Sequence, residues 1–201
     1  MKGPTAGLTA MAEVLQIISR TSFNLHAVLE AVVERATSLC RAQAGFIYRL
    51  EGDIYRLDVA LNITPEFRAF TERSPIRIDN LGTLTARVDR ERRTIHIPDV
   101  LHDPDYTYWE AQRLGNFRAM LGVPMIRGDT VIGVLAMWRT EPEPFTDEEA
   151  QLVTIFADQA VIAIEQARHA AELADTLEQQ TASSEVLRII SRSTADVGPV
   201  F

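Results

Sequence analysis

Cysteine is almost absent: Cys40 stands alone among 201 residues. A single thiol excludes an internal disulfide and any metal site built on several thiolates. Positive charge is in deficit too, since the net charge of −8 and pI near 5.0 supply no overall field for nucleic acid or an anionic membrane. No apolar run approaches the roughly 20 residues of a membrane span, and the N-terminus lacks the apolar core of a secretion signal. A cytoplasmic chain without membrane contact is the expectation. A glycine-rich phosphate loop is missing, because Gly122, Gly128 and Gly133 fall in strands and a turn. Ser19, Ser22, Ser38 and Ser74 carry no nucleophile motif. No catalytic residue is assigned, and the chain reads as a non-enzyme. The one basic run, residues 87–93, is interleaved with Asp89 and Glu91 and reads as a solvated helix face.

What the chain does contain is a repeat. EVLQIISRTS at residues 13–22 returns as EVLRIISRST at 185–194, with seven of ten positions identical and two more a Ser/Thr exchange. Such a match marks the end of one structural unit and the start of a second. The expected division is a disordered or tag-like stretch at 1–7, a folded domain over 8–167, a coiled-coil linker helix over 168–192 and, over 185–201, the truncated start of another copy. A composition 46% hydrophobic and 24% charged suits a domain with a proper core.

Helical spacing links Leu8, Met11, Val14, Leu15 and Ile18, and again Leu25, Val28, Leu29, Val32, Val33, Ala36 and Leu39. Two strand patterns flank Glu51-Gly52-Asp53, read as a three-residue hairpin loop. Thr64-Pro65 opens a short helix as cap and first-turn proline, and residues 83–90 form another. A short strand follows at 94–97. Asp103-Pro104 offers a further cap for a helix to about Leu114. Strand patterns at 117–125 and 130–138 flank Arg127-Gly128-Asp129, and the second, VIGVLAMW, is apolar on both faces, as a central covered strand should be. Thr146-Asp-Glu-Glu149 is a capping box for a helix expected to continue to about Arg192. That helix is apolar to Ala167, then thins to a seam of Leu173, Leu177 and Leu187, with Gln180 and Ser184 in the intervening heptad slots.

This order of elements resembles a GAF domain. The likeness rests on LGVPM (121–125), GDTVIGVLAMW (128–138) and PFTDEEAQLVTIFADQAVIAIEQARHAAEL (144–173), and extends to TIHIPDV (94–100). The resemblance implies an α+β fold with a central antiparallel sheet, terminal helices on one face, a ligand-cavity region on the other, and a long C-terminal signalling helix. It further implies a tandem-GAF bacterial signalling protein of sensor histidine kinase or nucleotide cyclase type. The module would dimerise through its terminal helices and relay small-molecule binding to a kinase or cyclase domain in cis.

Within that frame, Asp99, His102, Asp103, Asp105, Tyr106, Tyr108, Trp109 and Phe117 are the candidate ligand-binding residues, with aromatics to stack on a flat ligand and carboxylates to accept its hydrogen bonds. The alternative stays open: Asp103 caps a helix, Asp99 closes a turn, and Tyr106, Tyr108, Trp109 and Met137 fill their own pocket, leaving a structural dimerisation spacer. Leu15, Ile18, Phe156, Ala160, Ala163, Leu173 and Leu177 are the candidate dimer contacts. No metal site is expected, because His96 alternates with Ile95 and Ile97 and no short ligand spacing joins it to His102; His26 and His169 read as helix-face residues. Cys40 reads as a buried, inert thiol. A bilin is not expected because residues 99–114 lack the attachment cysteine, nor sulfoxide-reductase chemistry from one cysteine, nor a cyclic nucleotide with Arg139-Thr140 in the Asn-Lys place. The cofactor, if any, is unknown.

Overall fold

The computed structural model describes residues 24–195, with side chains described through Gln180. Leu15, Ile18 and the first copy of the repeat lie outside the described residues. Six strands form one antiparallel sheet in the order β3-β2-β1-β6-β5-β4. They are β1 (Ala44–Glu51), β2 (Ile54–Leu61), β3 (Ile76–Arg77), β4 (Ile95–Ile97), β5 (Ala119–Arg127) and β6 (Thr130–Arg139). Strand β6, apolar on both faces, is central as expected and is buried at nearly every position after Ile132.

Both main hairpins turn more tightly than the sequence pattern implies. Glu51 pairs with Ile54 and Arg127 with Thr130, so each loop has two residues. Gly52 and Gly128 take φ of +65° and +57° in open space, so glycine is needed there for its backbone and not for room.

The helices are α1 (Leu25–Leu39), α2 (Pro65–Arg73), α3 (Leu84–Glu91), α4 (Trp109–Gly115) and α5 (Asp147–Ala195). Local chemistry starts most of them. Asn24, Thr64 and Thr83 each accept a backbone N–H three residues on, at 3.2, 3.1 and 3.2 Å. Glu149 N–H donates to Thr146 Oγ1 at 3.2 Å, while Thr146 N–H donates to Glu149 Oε2 at 2.8 Å. This reciprocal capping box begins α5.

Alternation divides the core between the two sheet faces. Phe46, Tyr48, Val134, Ala136 and Trp138 join a cluster with Leu84, Val88, Tyr106 and Phe117. Ile47, Leu135 and Met137, fully buried, point the other way. α1 packs on β1 and β2, so tightly that a Cβ on Gly45 would lie 2.2 Å from Thr37 Oγ1.

Two expectations are corrected here. Asp103 does not cap a helix: α4 begins only at Trp109, without a side-chain cap, because the Asp103 carboxylate is committed to Arg87 and to the Asp105 N–H. Ala160 and Ala163, expected at a dimer face, are 0% and 4% exposed within the monomer. They continue the inward stripe begun by Val153 and Ala157, whereas Ile155 and Ile162 are exposed.

The chain divides into two units, Met1–Ala163 and Ile164–Phe201. The first holds the sheet. The second is helical over its described residues: Arg168 pairs with Glu165 at 3.0 Å and Glu172 at 2.6 Å, and Leu173 is exposed. The second copy of the repeat falls inside α5. No described helix is long and apolar enough to cross a membrane.

Candidate functional site: an aromatic chamber and the root of the C-terminal helix

The strip at residues 105–108 separates two spaces. Tyr106 and Tyr108 face a chamber that Phe46 and Tyr48 (β1), Phe67 (α2), Ile76 (β3), Leu84 and Thr85 (α3), Phe117 and Met120 (β5) and Trp138 (β6) also line. Asp105 and Thr107 face an open groove of about 330 Å³ with Arg87, Arg90 and Glu91. Within this strip Thr107 N–H donates to the Gly82 carbonyl at 3.0 Å.

Rings fill most of the chamber. Trp138 lies 4.9 Å from Phe67, 4.9 Å from Phe117 and 5.1 Å from Phe46, and Tyr106 meets Phe117 edge-on. The cavity that remains is about 20 Å³, room for one water. Burial pushes the Tyr48 and Tyr106 phenols far above their ordinary range and Tyr108 up to about 12, so all three are hydrogen-bond donors at neutral pH.

Of the eight candidate ligand residues, Tyr106, Tyr108 and Phe117 converge on the chamber, while Asp105 faces the outer groove. Asp99 and Asp103 hold the strap between β4 and α4. Asp99 accepts both arms of Arg118, at 2.7 and 2.5 Å, and also meets His102 Nδ1 at 2.7 Å. Asp103 accepts the fork of Arg87 at 2.8 and 3.0 Å. The guanidinium partners hold both carboxyls below their usual pKa. Arg87 is therefore not part of a solvated face. His102 and Trp109 are exposed, and Trp109 touches Tyr106 edge-on from outside the chamber. Neither Trp109 nor Met137 lines the chamber, so neither plugs it.

Phe46, Tyr48, Phe67, Thr85, Met120 and Trp138 are chamber residues that the sequence reading missed. The available signal was alternation: Phe46 and Tyr48 on β1 share a face with Trp138 on β6.

A second constellation stands at the end of β6. Arg139, next to the chamber residue Trp138, is 6% exposed. Its guanidinium donates to the Cys40 carbonyl and to Glu149 Oε1, each at 2.6 Å, and to the carbonyls of Glu143 and Pro144 at 3.2 and 3.0 Å. It also covers the Phe145 ring at 4.2 Å. Phe145 N–H donates to His96 Nε2 at 3.0 Å, which fixes that nitrogen as an acceptor. Burial first, and then Arg139, lowers the His96 pKa, against the opposing pull of Asp147 and Glu149. Arg139 thus joins the ends of α1 and β6 to the first turn of α5. Cys40 is buried and its thiol pushed up to about 11, chiefly by burial, which leaves it unreactive. Among the described residues, no three His, Cys, Asp or Glu side chains gather as a metal ion would need.

An antiparallel sheet with a helix before it, a long helix after it and a chamber under a strap is the arrangement of a small α+β domain. The family model for the GAF domain matches residues 24–165, and the chain belongs to that family. Solved structures agree on the fold. The GAF domain/HD domain protein from Geobacter sulfurreducens matches with TM-score 0.65 at 18% identity, over 73% of this chain and 95% of that one. The GAF domain of a phosphoenolpyruvate-protein phosphotransferase from Coxiella burnetii matches with TM-score 0.64 at 20% identity, over 81% and 96%. A domain assigned to a two-component sensor histidine kinase from Sinorhizobium meliloti matches with TM-score 0.57 at 17% identity, over 71% and 91%. No curated protein matches the sequence.

Proposed function

We propose that this chain is a cytoplasmic sensory module that dimerises through its terminal helices and relays small-molecule occupancy of the chamber to an output domain in cis, of histidine kinase type. One observation carries the relay: Trp138 walls the chamber, and the next residue, Arg139, anchors the first turn of α5 through Glu149. A ligand that shifts β6 changes the hold on α5, provided that it binds the two arrangements unequally. The solved domain from a protein assigned as a sensor histidine kinase supports that output over a nucleotide cyclase. The repeat within α5 supports a tandem array in which the output helix leads into the next unit.

For the dimer face, Ile155, Ile162 and Leu173 are the exposed apolar residues, with Phe156 half-buried beside them and Leu177 further along. Sedimentation of the chain against a version ending at Ala167 tests the seam; equal masses at tens of micromolar would remove Leu173 and Leu177 from the interface. The small cavity favours a second reading, a spacer that binds nothing. A metabolite screen by thermal shift separates the two: stabilisation by a ligand supports the sensor, and a flat response supports the spacer.

A further inference from the structure

The chamber's lining specifies a kind of ligand. Every side chain that lines it is uncharged. Arg87, the cation that acts on Tyr106, spends its guanidinium on Asp103 and the Leu81 carbonyl. An anion buried here would therefore lose its hydration without gaining a counter-ion. Phosphates and carboxylates are disfavoured.

The polar groups of the chamber divide into satisfied and unsatisfied. The Thr83 hydroxyl donates to the Asn80 carbonyl, Tyr106 to the Tyr108 carbonyl and Tyr108 to the Ser74 carbonyl. The side chains of Tyr48 and Thr85 line the chamber too, and their hydroxyls make no hydrogen bond to another described residue. A hydroxyl that faces a cavity without a partner in the protein takes one from whatever fills that cavity.

Size supplies the last constraint. Seven aromatic rings line the chamber, and six are buried; Tyr108 alone is only partly so. It is held by one hydrogen bond of 3.1 Å to Ser74 and by contact with the Phe70 ring at 5.5 Å. Outward rotation of Tyr108 gives up those two contacts and its packing against the core cluster, and opens space for a ring of its own size.

We propose that the chamber takes a small, uncharged, planar molecule with one hydroxyl, of the phenol class, which displaces Tyr108 and bonds to the Tyr48 and Thr85 hydroxyls. This rests on the reading of the chamber as a ligand site. The ring of such a ligand would lie among Phe46, Phe67, Phe117 and Trp138, and its hydroxyl would accept from one of the two chamber hydroxyls and donate to the other. The outer groove, with Arg90, Glu91 and Asp105, is not part of the site.

The test is a titration of the whole chain with phenol and, separately, benzoate, followed at the two tryptophan indole resonances. Trp138 reports the chamber and Trp109 the exterior. The expected result is a saturable shift of Trp138 with phenol and none with benzoate. Tyr108→Ala should tighten phenol binding about tenfold, and Tyr48→Phe, which keeps the ring, should weaken it about fivefold. Thr85→Val provides a second probe of the polar end, weakening binding if Tyr48→Phe disturbs the fold. Benzoate shifting Trp138 as well as phenol does, or phenol binding unchanged in both Tyr48→Phe and Thr85→Val, overturns the ligand class and leaves the sensor reading standing. No response of Trp138 to either probe, in the native chain and in a folded Tyr108→Ala variant, overturns the class too. If the metabolite screen is also flat, the sensor reading falls with it.

Discussion

Replacing Arg139 by Met keeps the length of the side chain and removes everything its guanidinium does. Four hydrogen bonds and one ring contact are lost. They are not equal. The carbonyls of Glu143 and Pro144 sit in an exposed loop where water replaces the donor, so each matters little. Glu149 is partly exposed, at 21%, and keeps its bond from the Thr146 N–H, which limits the cost of its lost partner. The Cys40 carbonyl is stranded, because its bond to Arg139 is buried, and an unsatisfied buried acceptor costs about 1–3 kcal/mol. Breaking a buried ion pair from one side typically costs about 3–5 kcal/mol, and partial hydration of Glu149 points to the lower end. The expected loss is about 3 kcal/mol, seen as a midpoint shift in urea unfolding at unchanged slope. Glu149→Gln in the Arg139→Met background should cost less than in the native chain, since its partner is already gone. A loss under about 1 kcal/mol for Arg139→Met, or additive effects in the double variant, would refute the view of Arg139 as the joint at the root of α5.

The neighbouring His96 gives a pH dependence with a definite sign. Its folded pKa lies below the ordinary value, so the unfolded chain binds the proton more readily and stability falls as pH drops below about 6.5. The loss is at most about 1.4 kcal/mol per pH unit, continues until the folded pKa is passed, and should shrink in His96→Gln, where an amide oxygen can still accept from Phe145 N–H; a urea-midpoint series from pH 8 to pH 5 that is identical in both chains would contradict this. Gly45→Ala forces a methyl against Thr37 Oγ1 and to within 3.0 Å of Val33 Cγ1, and overpacking of this kind should cost about 1–3 kcal/mol in the same assay. Ile155→Glu with Ile162→Glu should leave the fold intact by circular dichroism, because both are exposed, and should shift the sedimenting species toward monomer; an unchanged mass would move the dimer face elsewhere.

Features governed by neighbours in sequence were legible before the fold was known. Thr64-Pro65 and the Thr146–Glu149 box act within a single helical turn, and each does in the structure what its residue type favours. β6 declared itself central because an unbroken apolar run needs cover on both sides. Asp103 misled because its preferred partner, Arg87, is 16 residues away, and an ion pair with a fork of donors outcompetes a cap. Ala160 and Ala163 misled because α5 carries apolar residues on more than one face, and spacing alone does not say which face the domain keeps for itself. The chamber was half visible: Tyr106, Tyr108 and Phe117 come from one stretch of sequence, whereas Phe46, Phe67 and Trp138 are assembled from three separate elements by the curl of the sheet. Arg139 was read only as a departure from a cyclic-nucleotide pattern. Its role depends on where Cys40 and Glu149 come to rest, 99 and 10 residues away.

The central claim is that the state of the chamber reaches α5 through Arg139. Amide hydrogen exchange over residues 148–153 tests it most directly, measured with and without a probe that shifts Trp138, in the native chain and in Arg139→Met. The account predicts that loading the chamber changes protection of these amides in the native chain and leaves them unchanged in Arg139→Met. The same change in both chains, or no change in either while Trp138 reports a filled chamber, would contradict it.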